Sequence, residues 1–112
     1  MKNIVIIIQP NKFDSVRKKL IEAGVCGMTV TNVEGFGYEK KQMKVNKSQE
    51  MTIDLSPKVR IEIAVRDAEA EGVIKAAIEE ARTGRLSDGK IFVSDLSEVI
   101  RIRTGERGEH AL

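Results

Sequence analysis

The sequence predicts an α+β sandwich, in which one β-sheet is backed by two helices in the order βαββαβ. Three observations predict it: a continuous β-branched run near the N-terminus, an alternating apolar stretch in mid-chain, and a long alanine-rich amphipathic stretch after it. A chain of 112 residues has room for one such domain, so residues 1–112 are expected to form a single unit.

The N-terminal segment predicts a strand followed by a helix. Residues 4–8 are all isoleucine or valine and end before Pro10, a pattern typical of a strand covered on both faces. Asn11 is a suitable cap for a helix over residues 12–23. Gly24 follows the apolar stripe and supplies the left-handed residue that ends many helices.

The middle of the chain predicts two strands separated by a long loop. Residues 25–33 are rich in β-forming side chains, whereas residues 37–56 hold neither a helical nor a strand period. Loops of this length in compact domains are usually functional or disordered, so this one is either a recognition arm or a floppy insertion. Residues 59–65 alternate apolar and polar, as in a strand with one buried face.

The C-terminal half predicts the second helix and the last strand. Asp67 is expected to cap the helix, whose apolar face is clear and which ends before Gly84. Residues 90–93 predict a fourth strand, and residues 99–102 a short fifth. The order is that of ferredoxin-like sandwiches. Because the first strand is apolar on both faces, we expect oligomerisation to cover the sheet face that the helices leave open.

Composition excludes several classes of function. The net charge is only +2 and aromatic residues make up 4%, which argues against a nucleic-acid-binding sheet. The single cysteine, Cys26, permits no internal disulfide and is expected to be a small buried hydrophobe. No apolar run approaches the length of a membrane span, so we expect a cytoplasmic protein. The only histidine, His110, lies near the C-terminus and favours no catalytic role.

One glycine-rich segment has the spacing of a phosphate-binding loop, with four residues between Gly84 and Gly89 and then Lys90. The topology is wrong for that motif, because a helix here leads into a strand and Ile91 replaces the required Ser or Thr. Backbone N–H groups at the glycines and the lysine charge would nevertheless suit an anion. A tight turn with an exposed lysine is the alternative.

A second basic segment lies at the C-terminus. Arg101, Arg103 and Arg107 are separated by Gly105 and followed by Gly108. In an extended segment Arg101 and Arg103 would project from the same side and could fork onto phosphate oxygens. Solvated charges on a frayed terminus would give the same pattern.

Several strings together resemble the PII family of signal-transduction proteins, in family order and spacing. They are GMTVT at 27–31, GFG at 35–37, PKV at 57–59, ARTG at 81–84, DGKIFV at 88–93 and IRIRTGERG at 100–108. The resemblance implies a ferredoxin-like homotrimer with ATP or ADP bound in clefts between subunits. It also implies that residues 37–55 form the T-loop, which docks on a target transporter or metabolic enzyme.

The resemblance also implies which residues bind. Ser87, Asp88, Gly89 and Lys90 of one subunit would hold phosphates together with Arg101 and Arg103, while Thr29 and the Glu62 to Ala64 stretch would face adenosine. The full nucleotide-binding set is Thr29, Gly35, Gly37, Tyr38, Glu62, Ala64, Ser87, Asp88, Gly89, Lys90, Arg101 and Arg103. The effector set is Glu39 and Lys58, with Glu39 as a possible magnesium ligand.

Departures from the family pattern concentrate near the loop. Tyr38 and Glu39 stand where the family has Arg-Gln, Lys41 replaces a glycine, and Met51 occupies the position of a tyrosine that many relatives have modified. Glu39 should repel the dianionic effector 2-oxoglutarate. Ser87 replaces a family glycine in the phosphate turn.

The expected function is therefore nucleotide-dependent regulation in nitrogen metabolism, not catalysis. The main alternative is a divergent PII-like protein that answers to another small molecule in carbon or transport metabolism. A nucleotide-hydrolysing enzyme and a ligand-free trimeric scaffold are the remaining alternatives. The absence of an evident general base disfavours the enzyme, and the basic cluster disfavours the scaffold.

Overall fold

The computed structural model describes residues 1–37 and 55–112, which form a four-stranded antiparallel sheet with two helices on one face. The elements are β1 (Lys2–Ile8), α1 (Phe13–Glu22), β2 (Thr29–Gly35), β3 (Ser56–Val65), α2 (Asp67–Ala81) and β4 (Gly89–Asp95). The strand order is β2-β3-β1-β4. The predicted βαββαβ order and the ferredoxin-like α+β class are confirmed.

The core forms between the helices and the two central strands. Ile4 and Ile6 of β1 lie opposite Ile63 and Ile61 of β3, and all four side chains are almost completely buried. Val16 and Leu20 of α1 cover them from the helix layer, and α1 packs beside α2. Burial of each large aliphatic side chain contributes about 1.5–3 kcal/mol, so this layer dominates the stability of the fold.

The end of α1 follows the predicted glycine stop. Gly24 has a φ of +98°, and its N–H donates to the carbonyl of Ile21 at 3.0 Å while that of Val25 donates to Leu20 at 3.0 Å. This pair of bonds satisfies two carbonyls that the helix would otherwise leave open.

The predicted start of α1 is wrong. Pro10–Lys12 forms a 3-10 turn, so the helix begins at Phe13 with Lys12 at the capping position. Asn11 therefore lies inside the turn, too early to cap the helix. The Ser15 hydroxyl donates to the Lys12 carbonyl at 3.1 Å.

The start of α2 differs from the prediction in a similar way. Asp67 is the first helical residue and Arg66 precedes it as the cap. The Asp67 carboxylate lies 2.9 Å from the N-terminal amine of Met1, which lowers the pKa of that carboxyl through a hydrogen bond and charge attraction. A carboxylate in the first turn also complements the helix dipole. The contact ties the start of α2 to the start of β1.

The remaining differences concern the edges of the fold. β2 begins at Thr29, four residues later than predicted, and Cys26 before it is exposed rather than buried. The fifth strand predicted at residues 99–102 is absent from the described part of the chain. Those residues enter a closed loop, in which Ile100 forms an isolated bridge with Arg107 and Gly105 turns the chain at a φ of +72°.

The sheet face opposite the helices stays open. Val5 and Ile7 of β1 are only half-buried on this face, and the neighbouring Phe92 of β4 is 55% exposed. In the described ranges, neither helix is long and apolar enough to cross a membrane.

Candidate functional site

One cluster of predicted site residues forms where β4 begins. The Ser87 carbonyl accepts hydrogen bonds from Gln9 Nε2 at 2.7 Å and from Lys58 Nζ at 3.4 Å. The aliphatic part of Lys58 also lies 3.1 Å from the position that a Cβ on Gly35 would take. The structure therefore brings Gly35, Lys58 and Ser87 together from three separate segments.

Gly89 and Lys90 lie beside this cluster as the first two residues of β4. Gly89 has a φ of +109°, a conformation that other residues rarely adopt. Lys90 pairs with Ile7 in the β1–β4 ladder, and its side chain is exposed on the open sheet face. Within the described residues it makes no hydrogen bond or ion pair, so its charge is available to an anion.

Asp88 has a structural role that the sequence did not reveal. Its carboxylate accepts hydrogen bonds from the N–H groups of Thr83 at 2.7 Å and Gly84 at 2.9 Å, and from the Thr83 hydroxyl. These donors, the hydroxyl above all, lower the pKa of the Asp88 carboxyl. The side chain thus closes the turn between α2 and β4, and the N–H of Asp88 donates to the Arg85 carbonyl at 3.2 Å.

A second cluster lies at the other end of the sheet. Thr29 of β2 stands directly opposite Glu62 of β3, and both line a cavity of about 380 Å³ together with Ala64. The Glu62 carboxylate pairs with the guanidinium of Arg60 at 2.6 Å. Leu112 at the C-terminus forms another wall of this cavity. Sequence analysis did not include Leu112, although an apolar residue that follows a basic tail is a signal of packing against the rest of the protein.

The two C-terminal arginines differ in their surroundings. The Arg101 guanidinium donates to Glu106 Oε1 at 3.0 Å, to the His110 carbonyl at 3.1 Å and to the Leu112 carbonyl at 3.4 Å. Arg103 is exposed and has no hydrogen bond or ion pair to any described residue. Because the segment turns instead of extending, the expected projection of both side chains from one side of a strand is wrong.

The two clusters do not meet within one chain. Lys58 and Ala64 lie six residues apart on the same strand, which places them roughly 20 Å from each other along β3. Gly35 and Thr29 likewise occupy opposite ends of β2. Within one chain the two clusters therefore lie at opposite ends of the sheet.

Part of the predicted site lies outside the described residues. Gly37 is the last residue before the gap, while Tyr38 and Glu39 fall within it, as does most of the predicted T-loop. Over the ranges 1–37 and 55–112, no group of three His, Cys, Asp or Glu side chains could hold a metal ion. The magnesium role of Glu39 stays a prediction.

The fold defines a small α+β protein with one cluster of predicted site residues at each end of its sheet. Residues 1–106 match the family model described as Nitrogen regulatory protein P-II. The chain belongs to this family.

Similar proteins cover the complete chain. It is 48% identical to the Nitrogen regulatory protein P-II of Pasteurella multocida and 48% identical to that of Rhizobium meliloti. It is 47% identical to Nitrogen regulatory protein P-II 1 of Escherichia coli K12. In each comparison all 112 residues and the full length of the relative are aligned.

Family membership confirms the resemblance drawn from the sequence. It also confirms the expected class of function, a signal-transduction regulator in nitrogen metabolism that is not an enzyme. Members of the family respond to adenine nucleotides and act on target proteins as trimers.

Proposed function

We propose that this protein senses adenine nucleotides at a site shared between copies of a cytoplasmic homotrimer and controls a transporter or metabolic enzyme through residues 37–55. The observation that supports this proposal is the separation of the two clusters. One end of the sheet offers anion-binding groups, the other end offers a cavity, and a head-to-tail arrangement of copies would join them.

The phosphates of ATP or ADP are assigned to the start of β4 and to the C-terminal loop of the next copy. Lys90 and Arg103 are both exposed and make no hydrogen bond or ion pair within the described residues, so binding an anion would break no existing contact of theirs. Charge-assisted hydrogen bonds to phosphate are about twice as strong as neutral ones, and a guanidinium matches phosphate geometry. Gly89 is exposed, so its backbone is accessible beside Lys90.

Adenosine is assigned to the cavity between β2, β3 and the C-terminus. The Thr29 hydroxyl and the Glu62 carboxylate can donate to and accept from a base or ribose, while Ala64 and Leu112 provide apolar walls. Such a mixture of apolar surface and a few polar groups is typical of small-molecule sites.

The effector end of the site is assigned to Lys58 and Glu39, with Glu39 also a ligand for magnesium beside the nucleotide. Lys58 lies at the base of the loop and contacts the phosphate turn through the Ser87 carbonyl. We therefore expect the conformation of the loop to depend on whether ATP or ADP is bound.

Titration calorimetry with ATP and ADP tests the proposal, with GTP as the control for base recognition. We expect saturable binding of the adenine nucleotides to an assembly with three times the 12.4 kDa mass of one chain. Absence of adenine-nucleotide binding by a properly folded protein would refute the proposed function.

A further inference from the structure

An ion pair between Arg60 and Glu62 lies in the middle of β3, on the open face of the sheet. The Arg60 Nη2 atom is 2.6 Å from Glu62 Oε2, and each side chain is 36% exposed. Residues two apart on a strand project from the same face, so the alternation of β3 places the two side chains next to each other. Exposed ion pairs contribute little to stability, so the main effect of this contact is to fix the direction of the Glu62 carboxylate.

The neighbours of Glu62 across the sheet offer it no other cation. Thr29 of β2 and Val5 of β1 stand directly opposite Glu62 in the two ladders, and neither carries a charge. Among the described residues, Arg60 is the one that forms an ion pair with the Glu62 carboxylate. The conformation of this carboxylate therefore depends on a single side chain.

The two members of the pair differ in their relation to the cavity assigned to adenosine. Glu62 lines this cavity of about 380 Å³, whereas Arg60 does not. A direct contact of Arg60 with a nucleoside in the cavity is therefore not expected. Any influence of Arg60 on the nucleoside would pass through the Glu62 carboxylate.

We infer that Arg60 is a positioning residue for nucleoside recognition, which holds the Glu62 carboxylate in place to accept hydrogen bonds from the bound nucleoside. The inference rests on the proposed function, since it names the residue that orients one of the proposed binding groups. Oε2 of Glu62 is directed at the guanidinium, so Oε1 is left to accept from the ligand. An ionised carboxylate only accepts hydrogen bonds, so the matching groups are the ribose hydroxyls or the adenine amino group.

Two physical effects favour a carboxylate that is held by an arginine. A freely rotating glutamate loses conformational entropy when it binds a ligand, whereas a glutamate already fixed by Arg60 loses less. An unpaired carboxylate would also repel the phosphates of a nucleotide, and the guanidinium offsets that charge. Since hydrogen bonds to a charged acceptor are stronger than neutral ones, the pair offers the stronger type of bond without adding net charge to the site.

Calorimetry with nucleotides that lack one kind of donor tests the inference. The affinity for ATP is compared with that for 2′,3′-dideoxy-ATP, which lacks the ribose hydroxyls, and for purine riboside triphosphate, which lacks the amino group. Wild type should prefer ATP roughly ten- to a hundredfold over the analogue that lacks the donor bound by Glu62. Arg60→Met should reduce this preference roughly tenfold, and the analogue concerned identifies the donor. Arg60→Lys should retain most of the preference. The control Arg17→Met, which removes an exposed arginine paired with Asp14 on α1, should leave it unchanged.

A double-mutant cycle separates positioning from a general effect of the arginine charge. Glu62→Gln keeps the shape of the side chain but removes the charge that Arg60 holds. If Arg60 acts through Glu62, Arg60→Met should not reduce the preference further in the Glu62→Gln background. Arg60→Gln takes the place of Arg60→Met if the latter does not fold.

The outcomes distinguish this inference from the proposed function. An unchanged preference in Arg60→Met, or an equal reduction in both backgrounds, would overturn the inference while ATP binding by the wild type leaves the proposed function standing. A folded wild type that binds no adenine nucleotide would refute the proposed function itself, and the inference with it.

Discussion

Gly89 approaches β1 so closely that a Cβ at this position would stand 1.8 Å from the carbonyl oxygen of Ile7. The φ of +109° at Gly89 is a second reason why only glycine fits here. The close approach fixes where β4 begins and places Lys90 next to the end of β1. Glycine is therefore required by the β1–β4 contact itself, before any phosphate is considered.

Gly89→Ala should lower the free energy of unfolding by about 2 kcal/mol or more, because the backbone must shift and a side chain must adopt a left-handed conformation. Thermal denaturation should show a decrease in Tm of several degrees. Gly72→Ala is the control. It lies inside α2 with nothing within 4 Å of the new methyl group, so it should stabilise the protein by about 0.5–1 kcal/mol. Equal effects of the two substitutions would contradict this account of Gly89.

Asp88→Asn should destabilise the protein in a pH-dependent way. The donors from Thr83 and Gly84 hold the folded pKa of the Asp88 carboxyl below its ordinary value of 3.8. A depressed folded pKa contributes stability above the unfolded pKa, and that stability is lost as the pH falls through the folded value. The Tm difference between wild type and variant should therefore be largest near neutral pH and shrink below about pH 4. Glu71→Gln, an exposed change on α2, should give a small difference that does not vary in this way.

Lys90→Ala and Arg103→Ala should each weaken ATP binding roughly ten- to a hundredfold, the effect of losing a charge-assisted contact of about 1.5–3 kcal/mol. Both should leave the Tm of the ligand-free protein nearly unchanged, since neither side chain makes a hydrogen bond or ion pair with the described residues. Arg101→Ala should also lower the Tm, because its guanidinium holds Glu106 and the C-terminal carbonyls. Calorimetry together with thermal denaturation separates the two effects. Unchanged affinity in the Lys90 and Arg103 variants would remove them from the site.

Glu39 should prevent tight binding of 2-oxoglutarate. Repulsion between unit charges about 4 Å apart at an effective dielectric near 20 is roughly 4 kcal/mol, more than one extra hydrogen bond offsets. Titration of the ATP-loaded wild type should show weak binding or none, and Glu39→Gln should restore part of it. Lys41→Gly is the companion variant, because Lys41 stands where the family pattern has a glycine. Micromolar affinity in the wild type would show that Glu39 points away from the effector.

The sequence predicted the central elements because their side chains follow one period without interruption. β1, β3 and α2 are examples, since burial of their apolar face decides both the element and its orientation. The ends of elements were predicted less well. A 3-10 turn over Pro10–Lys12 precedes α1, and the carboxylate of Asp67 pairs with the Met1 amine. Neither feature could be read from a local pattern.

The candidate site was likewise predicted only in part. Gly89 and Lys90 lie at the start of β4, beside the strand predicted from the sequence, whereas their binding of phosphate stays a prediction. The binding of Arg101 to its own C-terminal segment was not predicted, because it depends on the turn at Gly105 that replaced the predicted fifth strand. Asp88 was assigned to phosphate binding from its neighbours in sequence, whereas its carboxylate is satisfied by Thr83 and Gly84.

Complementation between two defective variants tests the shared site most directly. Lys90→Ala and Arg103→Ala chains are co-expressed in equal amounts, the mixed assembly is purified, and the number of high-affinity ATP sites is counted by calorimetry. If Lys90 of one copy and Arg103 of the next bind the same nucleotide, random mixing makes about a quarter of the interfaces fully wild type. About one quarter of the wild-type number of high-affinity sites should then return. If both groups acted within a single chain, every site would carry one defect and none would be restored, a result that would contradict the account.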